Sequence, residues 1–258
     1  MNPKTEQLLA TLEVITEDLL YSSAGDAAIE PFVWQVAEQG EFNLVNFLIY
    51  KNRLQIVDLP DFTKAWQRAA KALKQPSNIS QTHQPPITLI DELPSHLTDL
   101  EFYNLGCDSL ASQMIVGKTA DDAWIGITAL KYGIWTPKFG DYFGIEDGYY
   151  SDEAKKIKTQ IKPFLEALEF LTKREEQPNQ ELIWEVAPSK TQVLIKLLNS
   201  SQYIQTYKYF GLKHQRLNNF MLSQLKQLRT YVIESGIYAV GQILNGDWLG
   251  VSTSGYWD

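Results

Sequence analysis

At 258 residues the chain is long enough for two ordinary domains, and a content of 44% hydrophobic and 21% charged residues marks a packed globule, not a disordered or fibrous chain. The net charge of −8, with no run of lysine or arginine, opposes direct nucleic-acid binding and suits either a basic partner or simple solubility. No apolar run approaches the roughly 20 residues that cross a bilayer. The amino terminus, with Glu6, Glu13 and Glu17 among its leucines, lacks the pattern of a signal peptide, and Cys107 is the one cysteine, so a cytoplasmic protein is expected.

In chain order, Leu8, Leu9, Leu12, Ile15, Leu19 and Leu20 keep the three-and-four spacing of one buried helix face, with Asn2-Pro3 as cap and first-turn proline. The segment 32–37 (FVWQVA) and the apolar run 44–50 (LVNFLIY) read as a strand pair covered on both faces. Phe62, Ala65, Trp66, Ala69, Ala70 and Leu73 predict a helix, and residues 74–94, rich in Pro, Ser, Gln and Asn, an inserted surface loop. Val116-Gly117, a polar centre and then Trp124-Ile125-Gly126-Ile127-Thr128 predict a hairpin whose return strand starts at the tryptophan, with Gly126 marking close backbone approach. After an aromatic-rich connector, Ser151 caps a helix bearing Ala154, Ile157, Ile161, Phe164, Leu165 and Leu168. The segment 182–187 (LIWEVA) and the run Val193 to Leu198 give another strand pair, Phe220, Met221, Leu225, Leu228 and Val232 a helix, and Val240-Gly241 to Trp248-Leu249-Gly250-Val251-Ser252 a last hairpin.

The two series are copies of each other. Trp34 and Trp184 lie 150 residues apart and Trp124 and Trp248 lie 124 apart; the difference of 26 residues is what an insertion in the first copy would produce. The expected fold is therefore α/β: two tandem α/β/α sandwich units, each running helix, two strands, helix, two strands. The first spans 1–133 with the inserted loop 74–94, the connector spans 134–150, and the second unit spans 151–258.

Catalytic chemistry finds little support. His83, His96 and His214 are scattered without paired spacing, so no metal site is expected. Cys107 has no histidine near it in sequence, and neither a nucleophile elbow nor a phosphate loop occurs. The adjacent carboxylates Asp91-Glu92, Asp121-Asp122 and Glu146-Asp147 read as turn and surface groups. An enzyme using Asp121, Asp122 or Asp247 is the weakest reading. Tyr256 and Trp257, large aromatics at a chain end, can anchor a partner surface.

The stretches 19–26 (LLYSSAGD), 32–34 (FVW), 56–62 (IVDLPDF), 103–106 (YNLG) and above all 238–258 (YAVGQILNGDWLGVSTSGYWD) resemble the nuclease A inhibitor-like (NuiA-like) proteins of cyanobacteria. The resemblance implies a non-catalytic, cofactor-free α/β/α sandwich that occludes the active site of a sugar-nonspecific, metal-dependent nuclease. In such proteins the carboxyl terminus and a glutamate in the loop after the first helix set acidic groups against the target's metal and cations. The terminal position falls on Asp258, beside Tyr256 and Trp257. The loop glutamate falls on Ala24 in the first unit and Arg174 in the second, with Asp26, Glu175 and Glu176 close by. The expected partner is thus another protein, with an adaptor or assembly factor serving a different intracellular complex as the alternative.

Overall fold

The structure is a computed structural model describing residues 1–21, 26–65, 85–105, 113–129, 151–172, 182–201, 203–209, 214–233 and 236–254, apart from the side chains of 85–88, 129, 164–172 and 182. The first helix forms as its sequence dictates. In α1 (Pro3–Thr16) the Asn2 side chain accepts a hydrogen bond from the Lys4 amide at 2.9 Å, and Leu8, Leu12 and Ile15 are buried. Asp18, at φ +62, turns the chain out of it. A short ladder follows, β1 (Leu20–Tyr21) with β2 (Ala27–Ala28), and then β3 (Glu30–Trp34) and α2 (Val36–Gln39), which stops at Gly40 with φ +76.

The apolar runs predicted as second strands are helices. Residues Leu44–Tyr50 form α3 and Lys190–Ser200 form α7. Both start on a capping side chain: Asn43 accepts from the Asn46 amide, and Ser189 from the Gln192 amide. Their buried residues, Leu44, Val45, Phe47 and Leu48 in one and Val193, Leu194, Leu197 and Leu198 in the other, share one face of a 3.6-residue turn. A continuous apolar run carries no period of its own, so the cap decided the outcome.

After α3 come β4 (Gln55–Val57), helical residues 59–65 (α4), α5 (Pro85–Glu92), a 3₁₀ turn at Leu93–Ser95, β5 (Thr98–Asn104), β6 (Gln113–Lys118) and β7 (Trp124–Ala129). The later half gives α6 (Asp152–Thr172), β8 (Leu182–Ala187), α7, β9 (Ile204–Lys208), α8 (Gln215–Gln224), β10 (Lys226–Ile233), β11 (Gly236–Gln242) and β12 (Trp248–Ser254). The later half therefore runs helix, strand, helix, strand, helix, then three strands, and the first half follows the same course with β1, β2 and additional helical segments, not the predicted order. Of the predicted inserted loop, residues 85–92 are helical, and Leu89, Ile90 and Leu93 enter the core; residues 74–84 lie outside the described part. Leu228 and Val232, predicted on a helix, lie on β10, because α8 ends at Gln224. Trp66, Ala69, Ala70, Leu73 and the connector 134–150 also lie outside the described residues.

The strands form two antiparallel five-stranded sheets, ordered β3-β12-β11-β10-β9 and β4-β5-β6-β7-β8. Each sheet takes its edge strand from the other half of the sequence: β3 pairs with β12, and β8 pairs with β7. The compact units follow this crossing, with Met1–Asn46 and Ile204–Asp258 in one and Phe47–Thr136 and Ile145–Tyr203 in the other. The expected linear units 1–133 and 151–258 are not the groupings these sheets make.

In the first unit, α1 and α8 cover one sheet face, packing Leu8, Leu12, Ile15, Leu217, Phe220 and Met221 against Ile237, Ala239, Leu249 and Val251. In the second unit, Leu89, Ile90 and Leu93 of the α5 region and Ala154, Ile157 and Ile161 of α6 pack against Phe102, Ile115, Ile125 and Ile127. Gly126, pointing the other way by strand alternation, faces α7: a Cβ there would sit 2.5 Å from Leu197 Cδ1. Helices thus lie on both faces of this second sheet. Apolar burial of this kind stabilises by about 25 cal/mol per Å².

Fine geometry repeats between the halves. Thr119 N to Ala123 O and Ile243 N to Asp247 O are both 2.8 Å, and the residue closing each turn, Asp122 at φ +64 or Gly246 at φ +96, is left-handed. Bulges at Thr98–Glu101 and Lys226–Arg229 match as well, with Asp99 and Gln227 both near φ +50. Trp124 and Trp248 each open a return strand, as predicted.

The match between Trp34 and Trp184 does not hold in space. Trp34 stands opposite Trp248, whereas Trp184 stands opposite Ile127 and Trp124 faces Ala187. The pairing register differs by three residues, an odd number that turns the two tryptophans to opposite sheet faces. Trp34 is buried against Phe42; Trp184 packs beside the α6 core with Lys158 Nζ 5.9 Å from its ring centre. Among the described residues, no helix is long and apolar enough to cross a membrane.

Candidate functional site

Asp26, exposed at φ +30, opens β2 at the edge of the first sheet. Its neighbour Ala27 accepts a hydrogen bond through its carbonyl from Thr253 Oγ1 at 3.4 Å, and Glu30 pairs in register with Ser252. The loop after α1 thus belongs beside the last turns of β12, from which the chain continues towards Tyr256, Trp257 and Asp258. Those three residues lie outside the described part, as do Ala24, Arg174, Glu175 and Glu176. The elements flanking Glu175 and Glu176, α6 and β8, belong with β7 in the other unit. Crosswise pairing sets Asp26 and Glu30 beside the described part of β12.

The sequence carries a second signal, in its local charge. Residues 5–50 hold eight carboxylates (Glu6, Glu13, Glu17, Asp18, Asp26, Glu30, Glu38 and Glu41) and no lysine, arginine or histidine. Their charge of −8 equals that of the whole chain, so the remaining residues balance. All eight are exposed, and among the described residues none is ion-paired. A short window of charge counting would have found this stretch; whole-chain composition hid it.

Two hairpin tips anchor the exchanged helices. Asp247, 8% exposed, accepts from Thr5 Oγ1 at 2.6 Å, from the Val36 amide at 3.0 Å and from Asn245 Nδ2 at 3.2 Å. Asp121 accepts from Thr119 Oγ1 and from Ser151 Oγ, which itself caps α6 by accepting from the Ala154 amide at 2.9 Å. The Thr119 and Ser151 hydrogen bonds hold the Asp121 carboxyl below its ordinary range, outweighing the opposing effect of desolvation. Asp122 pairs with Lys118 at 2.6 Å. These are turn and capping roles, not an acid/base couple.

In the second unit Glu101 receives hydrogen bonds from Lys190 Nζ at 2.7 Å and from the Tyr103 hydroxyl. Burial works to raise the Glu101 carboxyl, and those two donors outweigh it and hold it low. Burial, and then the Glu101 charge, pushes the Tyr103 phenol up. His96 lies 3.4 Å from Glu92, His214 Nε2 meets the Leu20 carbonyl at 3.0 Å, and His83 and Cys107 lie outside the described residues. Among the described residues, no group of three or more His, Cys, Asp or Glu side chains is placed to hold a metal.

A search among curated proteins returned no match. A family model described as Nuclease A inhibitor-like protein matches residues 6–130, from α1 through β7. The match is linear, whereas the elements it covers are divided here between two sheets. Over residues 6–130 the chain is thus similar to the nuclease A inhibitor-like proteins.

Proposed function

We propose that the chain is a non-catalytic protein-binding module that occludes the active site of a sugar-nonspecific, metal-dependent nuclease. The observation carrying this reading is the unpaired acidic segment 5–50, set beside the strand that leads into Tyr256, Trp257 and Asp258. Carboxylates free of internal cations have lost no charge to the fold, and they meet a basic, metal-bearing cleft without first breaking an ion pair. Asp26 and Glu30 stand at the rim, Asp258 is the acidic tip, and Tyr256 and Trp257 bury area around it. Glu175 and Glu176 would form a separate acidic group on the second unit. The module would act in the cytoplasm, and its two matching halves are the products of an internal duplication.

Titrating the purified chain into a nuclease of this type tests the reading. Activity should fall to a stoichiometric end point, and removal of residues 256–258 should abolish the effect. Full nuclease activity at every concentration of the intact chain would end it. The replacement of the loop glutamate by Ala24 and Arg174 favours the second reading, an adaptor of the same fold for another intracellular complex. Stable recovery of other proteins, with no nuclease among them, would support that one.

A further inference from the structure

We infer that the buried carboxylate of Asp247 is the group that makes the chain close crosswise, joining α1 and β3 to the last hairpin instead of to their own half. The hairpins β6–β7 and β11–β12 share turn geometry, bulge position and a leading tryptophan, so backbone shape alone does not tell them apart. Their tips differ at two buried positions: Thr119 stands where the other tip has Ile243, and at the second position one tip alone carries a charge. With Trp124 matched to Trp248, the counterpart of Asp247 is Ala123, wholly buried. The helices differ at the matching place. With α1 starting at Pro3 and α6 at Asp152, the counterpart of Thr5 is Ala154, and both are buried.

The observed pairing puts the carboxylate with the hydroxyl, Asp247 with Thr5 at 2.6 Å, and leaves the two alanines in the other unit. Asn245 Nδ2 also donates to Thr5 Oγ1, at 2.7 Å, so the threonine is held from two sides. Closure half by half would set Asp247 against Ala154, which has no hydrogen-bonding side chain, and would leave the Thr5 hydroxyl facing Ala123. It would also take away the Val36 amide that Asp247 accepts from at the entrance to α2. The buried charge would keep only Asn245, which belongs to its own hairpin, and would lose its other two donors, a loss costlier than those bonds are favourable. Asp247 therefore penalises the wrong docking partner, and Asp121, which accepts from Ser151 ahead of α6, makes the corresponding contact in the other unit.

The test uses the full-length chain in a Cys107→Ser background with one of two cysteine pairs. Glu30→Cys with Ser252→Cys reports crosswise closure, since these residues are register partners. Glu30→Cys with Thr128→Cys reports closure within the first half, Thr128 being the counterpart of Ser252. Opposed strand positions fall within the Cα separation a disulfide spans. After unfolding, refolding and mild oxidation, peptide mapping of the monomer should find the 30–252 bond and less than about a hundredth as much 30–128 bond. Moving the carboxylate, by Asp247→Ala with Ala123→Asp, should raise the 30–128 yield at least tenfold. An unchanged yield, or an equal 30–128 yield before the change, would overturn the inference. If the double variant does not fold by circular dichroism, Asp247→Ala alone is refolded in the same way; a yield below tenfold above the parent's would overturn it equally.

Discussion

Replacing Phe42 with alanine should loosen the attachment of β3 to its sheet while leaving the strand's own residues intact. Phe42 is 7% exposed, stacks on Trp248 with ring centres 4.4 Å apart, and meets Trp34 edge-on at 5.6 Å. These rings cover the sheet face turned away from α1, where Trp34 also donates through Nε1 to the Gly40 carbonyl at 2.9 Å. Truncating a buried phenylalanine costs about 3–5 kcal/mol, and two lost aromatic contacts place this case in the upper part of that range. At 1.4 kcal/mol per decade, amides of Glu30–Trp34 and Trp248–Ser254 should exchange roughly 140- to 3,700-fold faster. Those of Trp124–Ala129, which belong to the other sheet, should hold their protection. Hydrogen exchange read residue by residue decides this. A loss of less than tenfold at β3 would show that the aromatic cluster does not hold the strand, and an equal loss at β7 would show that the two sheets do not report separately.

The two strand glycines give a ranked pair. A Cβ at Gly250 would lie 2.4 Å from the Ala239 carbonyl oxygen, part of the backbone, whereas one at Gly126 would meet the mobile end of Leu197. Gly250→Ala should therefore exceed the usual overpacking cost of about 1–3 kcal/mol and Gly126→Ala fall within it, as read from urea midpoints; the reverse order would refute the packing argument. Glu101 and Asp121 both have lowered carboxyl pKa values, so their stabilisation is fully present above the unfolded values near 4 and drains away as pH falls through the lowered folded ones. Melting temperature followed from pH 7 to pH 2 should drop over that acid range, and Lys190→Met should shrink the drop; an identical profile in the variant would deny Lys190 its part. Affinity for a cationic nuclease should weaken steeply with salt, and Asp26→Asn with Glu30→Gln should flatten that dependence. A salt-independent affinity would mean that the acidic segment plays no part in binding.

Much of this protein was legible from residues alone. The helical period of Leu8, Leu12 and Ile15, the Asn2 and Ser151 caps, both tryptophan-led hairpins and the close approach at Gly126 and Gly250 are local facts, set by side chains within a few positions of each other. The family resemblance was legible for the same reason, since it rests on short stretches in a fixed order. The runs 44–50 and 193–198 are helices where strands are expected, because an apolar segment of this kind has no clear period, and the caps Asn43 and Ser189 are single side chains. Matching Trp34 to Trp184 failed on register, which is fixed by the strand opposite and not by the strand itself.

Which half completes which sheet belongs to tertiary structure alone. Two hairpins of nearly equal shape compete for two helix–strand segments, and no window of sequence contains both partners of either pairing. The contact between Asp247 and Thr5, 242 positions apart, is one that no local reading could foresee. Long-range pairing sets Asp26 and Glu30 beside β12: the sequence determined which acidic groups exist, and pairing between distant strands determined which described ones lie together.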